Sequence, residues 1–198
     1  LEGDVTLTSG ALKVEANNKV TRNLNGKKLT NQAGANTIEV AAGGTLTIEG
    51  PGTVDNVSHQ KAAVNNSGTV VLNGGTYTRS QEKGTSEEES GSNSYYTILN
   101  HGTMTINEGV TVNQGADGAG KFSSLIENGW YSGNDNTGGE PSVMTINGGT
   151  FSGGLNTIKN DDYGELTIKG GTFSSYAQAC LLNWNVATVE GGTFEGTD

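Results

Sequence analysis

Six short stretches of this chain repeat one alternation of apolar and polar positions. Aligned on a Thr-Ile step, they read TLTIEG (45–50), TVVLNG (69–74), TMTINE (103–108), VMTING (143–148), ELTIKG (165–170) and VATVEG (186–191). Ile48, Leu72, Ile106, Ile146, Ile168 and Val189 form one apolar column. Leu46, Val70, Met104, Met144, Leu166 and Ala187 form another, two residues earlier. Thr47, Val71, Thr105, Thr145, Thr167 and Thr188 run between them. A period of two marks a half-buried strand, so both apolar columns face inward and the Thr column faces out. No stretch of helical length carries a 3.6-residue apolar period, so the pattern predicts strands and turns and next to no helix.

From Ile48 onward the repeats are spaced by 24, 34, 40, 22 and 21 residues. The short spacings set the unit, and the long ones are that unit with insertions. A unit of this size cannot bury its own apolar face and must stack on its neighbours, which is the logic of a solenoid. A second pattern, apolar–any–Asn, precedes each Thr-Ile strand. It appears at Val64-Asn65-Asn66, Ile98-Leu99-Asn100, Ile126-Glu127-Asn128, Ile158-Lys159-Asn160 and Leu181-Leu182-Asn183. Asn tolerates a sharp corner, and its amide can bond the equivalent amide one coil away. Asn66, Asn100, Asn128, Asn160 and Asn183 are therefore predicted to stack as a ladder. A third strand follows each Gly-Gly corner, with Val54, Tyr77, Phe151, Phe173 and Phe194 as an inward, largely aromatic column.

Three strands per coil, like-on-like stacking and an Asn corner resemble the right-handed parallel β-helix proteins of the pectate-lyase-like superfamily, over about residues 20–196. NLNGKKLT (23–30) followed by GGTLTIEGPGTV (43–54) is similar to β-helix segments of extracellular proteins from Gram-positive gut bacteria and their phages. The expectation is an all-β, right-handed parallel β-helix of about seven rungs, a single domain over residues 1–198. Residues 1–30 would form the N-terminal end rung and 31–198 the regular rungs. Arg22 alternates inward where other rungs carry Leu, Val or Met, so it is expected at an open end where it reaches solvent or an acidic residue. The chain opens on Leu-Glu, without an initiator Met or signal peptide, and its last rung ends at GGTFEGTD, as expected of a piece cut from a longer stack.

Composition narrows the partners. Of 198 residues 32 are Gly and 2 are Pro, and the net charge is −10. With only Arg22 and Arg79 as arginines and no basic stripe, nucleic acid and anionic membrane are poor partners. No apolar run approaches a membrane span. The lone Cys180, in AQACLLN, rules out an internal disulfide and reads as a buried small hydrophobe.

Solenoid function usually sits on insertions. Three are expected, at 79–94, 113–121 and 129–141. The first two leave consecutive coils at the same corner; the third leaves just past the Asn turn. Glu87, Glu88 and Glu89 crowd the first. Trp130, Tyr131, Asn134 and Asp135 lie on the third, and Trp184 follows Asn183 at the ladder corner, pointing outward. Large rings beside Asn, Asp and Ser suit stacking on sugars, while Trp130 could instead pack on its own loop root.

Relatives with this fold include polysaccharide lyases and hydrolases, so such chemistry is the second alternative. His101-Gly102 and Asp161-Asp162 echo motifs of the polygalacturonases, and His101 and Asp161 share the position one past the ladder Asn. An intervening coil holds them about 10 Å apart, at two rises of ~4.8 Å. The seven Asp residues are scattered and neither Arg neighbours them. Asp161 and Asp162 are better explained as turn residues. No catalytic group and no metal or other cofactor is expected beyond incidental Ca²⁺ near Asp135, Asp161 or Asp162. The expected role is a non-catalytic adhesion or ligand-presenting module, secreted or on a bacterial surface, whose partner is a glycan or host glycoprotein. The first alternative is a phage tail-fibre or spike module on a virion. Monomer and homotrimer are both compatible with the sequence.

Overall fold

The structure, a computed structural model, describes residues 1–81, 95–114, 124–133, 139–175 and 178–196. Among the described residues there are 22 strands and no helix, and hence none long and apolar enough to cross a membrane. The chain visits three parallel sheets in strict rotation. The first sheet contains β1 (Val5–Leu7), β4 (Lys28–Asn31), β7 (Thr53–Asn56), β10 (Gly75–Arg79), β13 (Val110–Gln114), β16 (Thr150–Ser152), β19 (Thr172–Ser174) and β22 (Thr193–Glu195). The second contains β2 (Leu12–Val14), β5 (Ile38–Val40), β8 (Val64–Asn66), β11 (Ile98–Asn100), β14 (Ile126–Asn128), β17 (Asn156–Asn160) and β20 (Ala179–Asn183). The third contains β3 (Lys19–Asn23), β6 (Thr45–Glu49), β9 (Thr69–Leu72), β12 (Thr103–Ile106), β15 (Ser142–Ile146), β18 (Gly164–Ile168) and β21 (Val186–Val189). This is a right-handed parallel β-helix of seven three-stranded coils, with β22 beginning an eighth.

Register follows the repeat column by column. Leu72, Ile106, Ile146 and Ile168 sit over one another in the third sheet, as do Val70, Met104, Met144 and Leu166. All eight are buried, whereas Val189 and Ala187 continue these columns into the outermost coil and are less covered. Phe173 lies between Phe151 and Phe194, with ring centroids at 4.7 and 4.8 Å and nearly parallel planes. The aromatic column is broken below Phe151 by Val112, which pairs with both Tyr77 and Phe151. Arg22 pairs with Ile48 on the outermost strand of its sheet and is exposed to solvent.

The Asn ladder is continuous. Asn66 Nδ2 donates to Asn100 Oδ1 at 2.7 Å, Asn100 to Asn128 at 2.8 Å, Asn128 to Asn160 at 2.8 Å and Asn160 to Asn183 at 2.7 Å. The sequence reading missed a second, shorter ladder, where Asn147 donates to Asn107 and Asn107 to Asn73, each at 2.7 Å. Corner glycines have two reasons to be glycine. Gly149 has φ +112°, and a Cβ there would lie 2.7 Å from the Val110 carbonyl oxygen of the coil below.

The corner between the first and second sheets holds a buried polar column. Asn31 and Asn56 pair in register, as do Arg79 and Gln114. The amides of Asn31, Asn56 and Gln114 donate to the carbonyls of Asn36, Ala62 and Ser124, tying each coil to the next strand. Arg79, expected as the first residue of an exposed insertion, is instead the last residue of β10 and fully buried. Burial lowers its pKa to about 10. β13 likewise runs through Gln114, so strand pairing extends into both expected insertions before the chain departs.

Removing an inner rung of the ladder should cost far more than removing its end. Asn128→Ala deletes two buried amide bonds and is expected to destabilise by about 2–4 kcal/mol, whereas Asn183→Ala, at the exposed end, should cost less than about 1 kcal/mol. Urea unfolding of both variants measures the difference, and equal losses would contradict a cooperative buried ladder.

Candidate functional site

The ladder fixes more than its own amides. From Asn100 onward, the residue after each ladder Asn donates its backbone N–H to the carbonyl of the ladder Asn one coil earlier. His101 bonds Asn66 at 2.7 Å, Gly129 bonds Asn100 at 3.0 Å, Asp161 bonds Asn128 at 2.8 Å and Trp184 bonds Asn160 at 2.8 Å. His101, Gly129, Asp161 and Trp184 thus form one axial column along the solenoid edge. Immediately before the ladder, Leu99, Glu127, Lys159 and Leu182 form a second column on the outer face of the sheet.

Gly129 is where the third insertion leaves. Its φ is +96°, and a Cβ would lie 2.3 Å from the Asp162 carbonyl oxygen, so only glycine fits. The insertion is then fastened to the next coil. Trp130 N–H donates to the Asp162 carbonyl at 3.1 Å, and Ser132 donates its N–H and hydroxyl to the Asp162 carboxylate at 2.8 and 3.0 Å. On its return, Gly139 lies so close to the Tyr163 ring that a Cβ would meet Cε1 at 2.5 Å, and Ser142 N–H bonds the Tyr163 carbonyl. Asp162 therefore has the turn role expected of it, extended to anchoring the neighbouring coil's insertion.

Trp130 is half-buried. It stacks on Tyr163 at 4.6 Å between centroids with planes 22° apart, and meets His101 edge-on at 5.9 Å. Its ring contacts lie on the coils before and after its own, so it bridges neighbouring coils along the edge. Tyr131 is 70% exposed and Trp184 is 48% exposed, so of the three rings singled out in the sequence these two are open to a partner. Asn134 and Asp135, and Glu87, Glu88 and Glu89, lie outside the described residues.

Beside Trp130 sits a charged cluster that the sequence reading did not assemble. Burial and the Glu127 charge act together on the Tyr96 phenol, and His101 Nε2 lies 3.9 Å from Glu127 Oε2. Lys159 Nζ pairs with the Asp161 carboxylate, which also accepts the Asp162 N–H. Burial pushes the Glu127 carboxyl above its ordinary range; His101 and Lys159 pull it back, and Asp161 pushes it further up. Burial, with the Glu127 and Asp161 charges, also raises the Tyr96 phenol. The visible signal was Glu127 beside Lys159 at the same "any" position of consecutive coils, opposite charges stacked one rise apart. His101 and Asp161 stay on separate coils, each with its own partner.

The same outer face holds a shallow groove of about 270 Å³ on the first three coils, lined by Lys13, Glu15, Glu39, Asn65 and Ser67. Lys13 and Glu39 pair across it at 3.5 Å. No group of three or more His, Cys, Asp or Glu placed to hold a metal occurs among the described residues. Comparison with family models, curated proteins and solved structures finds no match.

Because the folded state holds the Glu127 proton more tightly than the unfolded chain does, its contribution is fully present below the unfolded carboxyl pKa. That stability is lost as pH rises through the folded value. Thermal unfolding of wild type and Glu127→Gln from pH 4 to 8 isolates this contribution. Gln mimics the protonated acid, so the variant should lose less stability than wild type across that rise; parallel curves would mean that Glu127 is not held protonated.

Proposed function

We propose that the protein is a non-catalytic extracellular module that binds a glycan, or the glycan of a surface glycoprotein, through its ladder edge. The observation that carries this reading is the pair of exposed rings, Tyr131 and Trp184, flanking the Trp130–Tyr163 stack along one rigid edge. Large exposed aromatics are costly to leave in water, and an aromatic face beside polar groups suits the mixed C–H and hydroxyl surface of a sugar. The backbone of the edge is held by the ladder, so little order has to be gained on binding. The carboxylates nearby do not compete with this role: Asp161 and Asp162 are buried and engaged in holding the edge together.

Trp184→Ala and Tyr131→Ala test it. Both side chains are exposed, so each substitution should shift stability by no more than about 0.5 kcal/mol. Each is expected to weaken binding on a glycan array at least ~10-fold, a loss of ~1.4 kcal/mol. Unchanged binding in the double variant would remove the edge from consideration.

One observation favours a second reading, a polysaccharide hydrolase or lyase: Glu127, raised by burial and close to His101, has the character of a general acid. That reading requires release of new saccharide ends from some polymer, abolished by Glu127→Gln.

A further inference from the structure

We propose that the ladder edge takes an uncharged chain of β-linked, equatorially substituted pyranoses lying parallel to the solenoid axis, and excludes uronic-acid and sulfated polymers. This rests on the glycan-binding reading above and specifies its ligand.

The direction follows from the backbone. His101, Gly129, Asp161 and Trp184 are locked in one column by four equivalent hydrogen bonds. Successive coils rise by ~4.8 Å, so the edge spans roughly 14 Å over its three intervals. One rise is close to the length of one β-linked pyranose. A chain laid along the axis meets the next coil with each sugar, whereas a chain laid across it leaves the edge after one. Equatorial substitution matters because it leaves a flat C–H face for Trp184 and Tyr131 to cover.

The charge preference follows from the ionic groups present. The segments that build the edge, 98–101, 126–133, 158–165 and 181–186, contain Asp161, Asp162 and the exposed Glu165, besides the buried Glu127, against a single ammonium group, Lys159. Lys159 is already paired with Asp161. Carboxylate and sulfate groups are best held by the planar fork of arginine. Neither arginine of the chain can reach a ligand on this edge, because Arg79 is buried inside a different corner and Arg22 lies on the outermost strand at the far end. The chain's charge of −10 adds a repulsive field that salt screens over about 10 Å at 0.1 M.

Calorimetric titration of the 198-residue chain with cello- and chito-oligosaccharides, and with oligogalacturonates, from disaccharide to hexasaccharide, tests the proposal. Affinity for one of the neutral series should rise ~10-fold or more from disaccharide to tetrasaccharide, then level off, and should fall with Trp184→Ala. Oligogalacturonate should not bind even at low salt. Oligogalacturonate binding that Trp184→Ala abolishes would overturn this inference and leave the glycan-binding reading standing. Neutral binding that gains nothing beyond the disaccharide would overturn the axial arrangement. Binding of neither class would remove both.

Discussion

A coil of about 22 residues has one apolar face and no second layer to cover it, so each coil depends on the coils above and below. In-register parallel stacking satisfies that need, and every other feature of the molecule follows from it. Ile106 and Ile146 can be dry only because Leu72 and Ile168 flank them. Phe173 is buried because Phe151 and Phe194 cover its two faces. Stacking also puts identical polar groups at hydrogen-bond distance, which turns a buried Asn from a liability into a link. The two ladders run in opposite senses: the long one donates toward higher-numbered coils, the short one toward lower. Within each, every amide polarises the next, so inner rungs are coupled and end rungs are not.

The same constraint decides how an insertion can exist. A coil that lengthens must return to the column it left, and the chain secures this by fastening the excursion to a neighbour. Asp162 does so for the segment that starts at Gly129, through Trp130 and Ser132. Tyr163 completes the seat as a surface for the Trp130 ring. Burial of Glu127 raises the cost of ionising it, and Lys159, one rise away and paired with Asp161, offsets only part of that cost.

Strand columns and the Asn corner were legible because each is written as a repeat, and a repeat states its own alignment. The short Asn73–Asn107–Asn147 ladder was present in the same aligned strings but passed over, since only three coils carry it. Arg79 misled for a physical reason. A cation next to an acidic, polar segment reads as solvated, and nothing local reveals that Asn31 and Asn56 occupy the same interior corner column. The Tyr96–Glu127–His101 cluster was illegible for a different reason. It joins residues from two coils with an aromatic ring contributed by the insertion, and neighbour relations across coils become readable only once the register is settled.

The position of the edge within the coil has its own logic. Across five consecutive coils the ladder position is always Asn, and a substitution at any of the three inner rungs interrupts two buried amide–amide bonds. One residue further on, the same coils carry Ser67, His101, Gly129, Asp161 and Trp184. That column has its backbone held by hydrogen bonds to the coil before it, and its side chains at Ser67, His101 and Trp184 reach the surface, so those positions can change chemistry without disturbing the stack. A solenoid that must recognise something has reason to do so where geometry is rigid and identity is unconstrained. In this chain the first condition holds along the column that follows the ladder asparagines, and the second at Ser67, His101 and Trp184, whereas Gly129 must be glycine and Asp161 is buried in its pairing with Lys159.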